Sequence, residues 1–164
     1  MLDAVRTCFA KYVTFSGRAR RSEYWWFVLF YIVAGAFAAG LDGLLFDPSV
    51  VVVEGGAGGA AVETAYGGGP VATIVALGTF LPLLAVGWRR MHDTGRPGWL
   101  YLLPTLVVVG GLVIAAAVSV TEGAFAGVVA GLAMLGGLVA FVLLIYWLTR
   151  PSEPGENAYG PAPA

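Results

Sequence analysis

Four long apolar runs dominate the pattern of hydrophobic and polar positions along the chain. They cover Tyr24–Leu45, Val71–Trp88, Trp99–Val120 and Ala124–Leu148, with lengths of 22, 18, 22 and 25 residues. At a helical rise of ~1.5 Å per residue these runs reach about 27 to 37 Å, against a hydrocarbon core of ~30 Å. None alternates apolar with polar positions as a barrel strand would. The pattern predicts an all-α integral membrane protein, with four transmembrane helices forming one bundle in a single membrane domain over residues 1–164. Ahead of the first run, Leu2, Val5, Phe9, Tyr12 and Val13 recur at helical spacing, with Asp3, Arg6 and Lys11 between them. That spacing predicts an N-terminal amphipathic helix at the membrane interface. Residues 46–70 form a Gly-rich outer loop that reads as a flexible linker, within which residues 50–53 can pair as a strand. Residues 149–164 form a polar tail.

Composition agrees with the membrane reading. Hydrophobic residues make up 59% of the chain and charged residues 12%, with a mean hydropathy of +0.83. Soluble domains carry about 25% charged residues, and a soluble fold this apolar could not cover its surface with polar groups. A soluble enzyme and a disordered chain are excluded on that ground. Cys8 is the single cysteine, so no intrachain disulfide forms, and it reads as a small buried hydrophobe. The net charge of −1 gives no bias toward nucleic acid. Ala36-Phe37-Ala38 fits a signal-peptide cleavage pattern, but the apolar run continues to Leu45, so it reads as a retained anchor.

The placement of charge orients the chain. Arg6, Lys11, Arg18, Arg20 and Arg21 precede the first run, Arg89, Arg90 and Arg96 lie between the second and third, and Arg150 follows the fourth. These are all nine basic residues; the two remaining loops carry Asp47, Glu54, Glu63 and Glu122 instead. Basic residues favour the inner side, so both termini are expected in the cytoplasm. Trp25, Trp26, Trp88, Trp99 and Trp147 fall at the same boundary, as interface anchors would. Ser22 is placed to cap the first spanning helix. Asp42, the only ionisable group within a run, reads as a solvated carboxylate near the outer end. Gly123, Gly127 and Gly131 form a small-residue stripe that reads as a packing face, inside the monomer or in a homodimer.

Polar chemistry collects in three segments at the basic end: Gly17-Arg18-Ala19-Arg20-Arg21-Ser22-Glu23-Tyr24-Trp25, Arg89-Arg90-Met91-His92-Asp93-Thr94-Gly95-Arg96-Pro97-Gly98-Trp99, and Gly155-Glu156-Asn157-Ala158-Tyr159-Gly160-Pro161. These motifs, in this order, resemble the bacterial membrane-protein family known as domain of unknown function 805. The resemblance implies a small multi-span protein of the bacterial inner membrane and no established activity.

From the residues themselves, Arg18, Arg21, Glu23, Arg89, Arg90, His92, Asp93 and Asn157 form the candidate cluster. One reading is structural, an ion-pair network that ties the helix ends together. The other is binding: arginine forks suit phosphate and carboxylate, so a basic cluster at the inner leaflet is suited to an anionic lipid or ligand. The alternative classes are an oligomeric channel or transporter subunit and, with less support, a membrane enzyme using His92 and Asp93. One histidine and one cysteine do not make a zinc site, and no phosphate-binding loop or nucleophile elbow is present, so no metal, cofactor or catalytic residue is assigned. The expected partners are membrane lipids, anionic ones in particular, and a further copy of the chain.

Overall fold

The computed structural model describes residues 1–46, 51–55, 59–63, 69–119 and 123–163. Its elements are helix α1 (Leu2–Ala10), α2 (Arg21–Leu45), strands β1 (Val51–Gly55) and β2 (Gly59–Glu63), α3 (Pro70–Asp93), a 3₁₀ turn (Gly98–Leu102), α4 (Leu103–Ser119) and α5 (Gly123–Thr149). Among the described residues, four stretches are long and apolar enough to cross a membrane: Arg21–Leu45, Pro70–Asp93, Gly98–Val118 and Phe125–Thr149. The described residues of all four apolar runs are therefore helical, Val120 lying outside them. Within the Gly-rich loop, β1 and β2 pair antiparallel, Val53 opposite Ala61. Strand pairing thus reaches further along this loop than residues 50–53; Val50 itself lies outside the described residues.

Helix α2 begins before the expected cap. Arg20 is its N-cap residue, in extended conformation, and no side chain caps the end. The reason is upstream: the Ala19 N–H donates to the Arg89 carbonyl at 3.1 Å, which fixes the chain's entry and starts the helix at Arg21. Helix α3 starts at Pro70, whose missing N–H costs nothing in a first turn. The next amides are capped from another helix. Asp42 accepts from the N–H of Val71 at 3.0 Å and of Ala72 at 2.7 Å. It is only 7% exposed, so it is a buried inter-helix cap rather than a solvated carboxylate. Negative charge suits a helix N-terminus, and here two orphan amides need an acceptor.

Pro82 lies inside α3. Lacking an N–H, it leaves the carbonyl four residues earlier, that of Gly78, without its helical donor. The Tyr12 hydroxyl donates to that carbonyl at 2.9 Å. Gly78 lies some way along α3 from the arginines, roughly 16 Å from Arg89 by helical rise. The α1 segment therefore leans along the flank of α2 and α3, with Phe9 packed edge-on against Phe27 and Phe30.

The spans do not form a bundle around one seam. α2 packs on α3 and α4 on α5, and the two pairs join mainly at the arginine end. There Tyr24, Phe27, Val86, Met91, Leu144 and Leu148 form a shared buried cluster, with Cys8 and Ala19 sealing its edge. Elsewhere the helices turn large apolar residues outward, such as Ile32, Phe37, Ile74, Leu138 and Val142. Two glycines of the stripe also face outward: a Cβ built at Gly127 or Gly131 meets nothing. Packing inside the monomer is thus ruled out for these two. The close approach of α4 to α5 instead uses Gly111 against Ala133 and Gly137 against Val108.

Candidate functional site

The arginine end is a clasp built from three stretches of chain. Helix α3 extends past the apolar run, so Arg89, Arg90, His92 and Asp93 project from its last turns rather than from a loop. A carboxylate is unfavourable at a helix C-terminus, so Asp93 needs cations. It has two. Arg18 Nε donates to Oδ1 at 3.0 Å, and Arg90 Nη1 donates to Oδ2. All three side chains are buried to 1% exposure or less.

Each arginine also closes a second connection. Arg18 Nη2 donates to the Glu153 carbonyl at 2.6 Å, and Nη1 to those of Gly155 at 2.6 Å and Gly160 at 3.4 Å. The N-terminal segment thereby holds the tail. Arg90 Nε donates to the Leu148 carbonyl at 3.1 Å, and Nη2 to that of Arg150. Those carbonyls are at or just past the end of α5, where no helical donor remains, so Arg90 caps α5 from α3. One position before Arg90 on α3, Arg89 Nη1 pairs with Glu23 Oε1 at 2.7 Å. Arg89 Nε and Nη2 are buried without a hydrogen-bond partner among the described residues. Cys8 joins this corner, its Sγ 3.9 Å from Glu23 Oε1. Burial first, and then the Glu23 carboxylate, push its thiol pKa up to about 12, with Arg89 opposing.

His92 and Asp93 do not act on a common point. His92 Nδ1 meets the Gly17 carbonyl at 3.1 Å, and its ring stacks on Tyr159, with centroids 3.9 Å apart. Asn157 Nδ2 donates to the His92 carbonyl at 3.0 Å and to Glu153 Oε2 at 2.9 Å, and its Oδ1 accepts from the Tyr159 N–H. Gly17, Gly95, Gly155 and Gly160, all from the three motifs, have positive φ. At Gly17 (+84°) and Gly95 (+69°) the requirement is direct: one presents its carbonyl to His92, and the Glu153 carboxylate rests against the other. Among the described residues, no three His, Cys, Asp or Glu side chains group as metal ligands would.

Of the eight cluster residues, seven meet in this network. Arg21 stays at the rim, with one long bond, 3.4 Å, to the Thr149 carbonyl. Sequence reasoning missed Tyr159 and the part played by the carbonyls of residues 148–160. The tryptophans divide. Trp25, Trp26 and Trp99 are exposed at the edge. Trp88 packs edge-on against Phe15 and covers Gly98, and Trp147 lies under the Arg96 guanidinium at 5.2 Å.

The three motifs that carry the clasp all fall within the stretch that matches a known family. The family model described as "Protein of unknown function (DUF805)" matches residues 12–161. The chain belongs to the DUF805 family. It is similar to the inner membrane protein YhaH of Escherichia coli K12, 31% identical over 93% of this chain and 88% of the relative. It is also similar to the inner membrane protein YhaI of the same organism, 37% identical over 63% of this chain and 71% of the relative. No solved structure matches. This DUF805 chain is thus one of a family of inner membrane proteins with several spanning helices, and the family carries no assigned activity.

Proposed function

We propose that this protein is a non-enzymatic inner-membrane module, with both termini in the cytoplasm, whose arginine clasp fixes two helical hairpins relative to each other and whose surplus positive charge attracts anionic lipid. One observation carries the proposal: the Arg18 side chain, only 1% exposed, reaches from the N-terminal segment to Asp93 of α3 and to three carbonyls of the tail. Arg18 Nε, Nη1 and Nη2 are all engaged inside the protein, which suits a tie rather than a substrate contact. The orientation rests on all nine basic residues lying at this end and in the segments attached to it. A homodimer seated on the outward face of Gly127 and Gly131 is the second reading, favoured by the open space at both glycines.

Two measurements test it. Cysteine labelling from outside intact cells should miss residues introduced at Glu156 and reach residues introduced at Glu54; the reverse pattern refutes the orientation. Native mass spectrometry of gently extracted protein should show a folded monomer or dimer retaining anionic lipid. A larger closed ring without lipid would refute the module and favour a channel.

A further inference from the structure

The side chains of Arg20 and Arg21, at the start of α2, are not used by the clasp. Arg20 Nε and Arg21 Nη1 each make one 3.4 Å contact to a carbonyl, of Pro163 and Thr149. Neither has a carboxylate partner among the described residues. Their charge adds to an existing surplus. Arg18 and Arg90 share the single carboxylate of Asp93, and Arg21 lies close enough to Arg90 for the two charges to repel.

The same two side chains line a groove between the start of α2 and the end of α5. Its outer part, about 460 Å³, is bounded by Arg20, Arg21, Ser22 and Ser152. Its inner part, about 340 Å³, is bounded by Arg21, Ser22, Trp25 and Thr149. Arg21 and Ser22 line both parts, so the groove runs from the polar tail down to Trp25, which is 36% exposed one turn along α2. Arg20 and Ser152 sit at one end, Trp25 and Thr149 at the other, and Arg21 and Ser22 line the stretch between, so the polar character falls toward the indole. That gradient is the one a phospholipid presents at the interface, with phosphate above and acyl chains below.

We infer that this groove binds one anionic phospholipid, with its phosphate among Arg20, Arg21 and Ser22 and its acyl chains leaving past Trp25. The inference rests on the proposed attraction of anionic lipid to this end and gives it a location. Arginine forks fit phosphate oxygens in two-point contacts, and the neighbouring positive surplus disfavours a zwitterionic lipid.

The test is native mass spectrometry of the full chain titrated with phosphatidylglycerol, beside phosphatidylcholine, for wild type, Arg20→Gln/Arg21→Gln and Arg96→Gln. Near the membrane surface each basic residue contributes ~1 kcal/mol, so losing two should weaken phosphatidylglycerol binding about 30-fold. Arg96→Gln, whose guanidinium lies over Trp147 instead, should bind like wild type. Equal retention of both lipids by wild type overturns the inference, as does equal weakening in Arg96→Gln, which would mean diffuse attraction. Unfolding of each variant is followed in parallel. Loss of fold in the double variant would assign Arg20 and Arg21 to the clasp and overturn the site. Loss of lipid binding with the fold intact supports it, whichever side of the membrane the termini occupy.

Discussion

Replacing Asp93 with alanine should destabilise the protein more than any single change on its surface. Asp93 accepts from Arg18 Nε and Arg90 Nη1, both buried, and each is a charge-assisted bond. Such bonds contribute ~1.5–3 kcal/mol apiece. Removing one partner of a buried pair costs ~3–5 kcal/mol, because the charge left behind has no counterion. The two arginines keep their carbonyl acceptors at Glu153, Gly155, Leu148 and Arg150, which moderates the loss. A cost of about 4 kcal/mol is therefore expected, nearly three powers of ten in the folded-to-unfolded ratio. The assay is reversible unfolding in mixed micelles by SDS titration, read by tryptophan fluorescence. Asp93→Asn keeps the shape and one acceptor oxygen and should fall between wild type and Asp93→Ala. Glu156→Ala, on an exposed residue, should stay within ~0.5 kcal/mol of wild type. If Asp93→Ala unfolds within about 1 kcal/mol of wild type, Asp93 does not hold Arg18 and Arg90 in place for the carbonyls of α5 and the tail, and the clasp is wrongly assigned.

Three further outcomes follow from other contacts. Asp42→Ala removes the acceptor for two α3 amides and should cost ~0.5–2 kcal/mol in the same titration; no change would show that the cap is dispensable. Tyr12→Phe leaves the Gly78 carbonyl unpaired beside Pro82 and should cost ~0.6–2 kcal/mol, with faster tryptic cleavage after Lys11; unchanged cleavage would show that α1 is held without it. Burial and Glu23 raise the Cys8 thiol from 9.0 to about 12, so the folded state keeps its proton where the unfolded state has lost it. Its stabilising contribution is complete below pH 9 and declines as pH rises from 9 toward 12, lowering the unfolding midpoint over that window. Maleimide labelling at pH 8 should accordingly be slow until the protein unfolds; fast native labelling would refute the burial.

Much of this architecture is legible in the residues. Uninterrupted apolar runs can only be helices in lipid, so the number of spans follows from hydropathy alone. The placement of Arg18, Glu23, Arg89 and Asp93 at one end follows from counting crossings. Their pairing with one another is what charge complementarity demands once they are there. The pairwise grouping of helices is not legible, because α4 and α5 are apolar all round and mark no face as the inner one. The caps supplied by Asp42 and Arg90 are equally hidden. Their partners are backbone groups, which every residue carries, brought near by the fold rather than by spacing. Tyr12 is an intermediate case. Pro82 announces that the Gly78 carbonyl lacks a donor, but only the direction of α1 reveals which donor arrives.

The reach of Arg18 sets a timetable. Its acceptor on Glu153 is made 135 residues after it. At ~5–20 residues per second the ribosome needs roughly 7 to 27 seconds to cover that distance. Through that interval the hairpins can enter the bilayer in turn while the arginine waits with its charge only partly answered. Asp93 arrives first and the tail last. Closure of the clasp thus waits for the tail, and a chain that stops short after α5 would present an open, strongly basic end to the membrane surface.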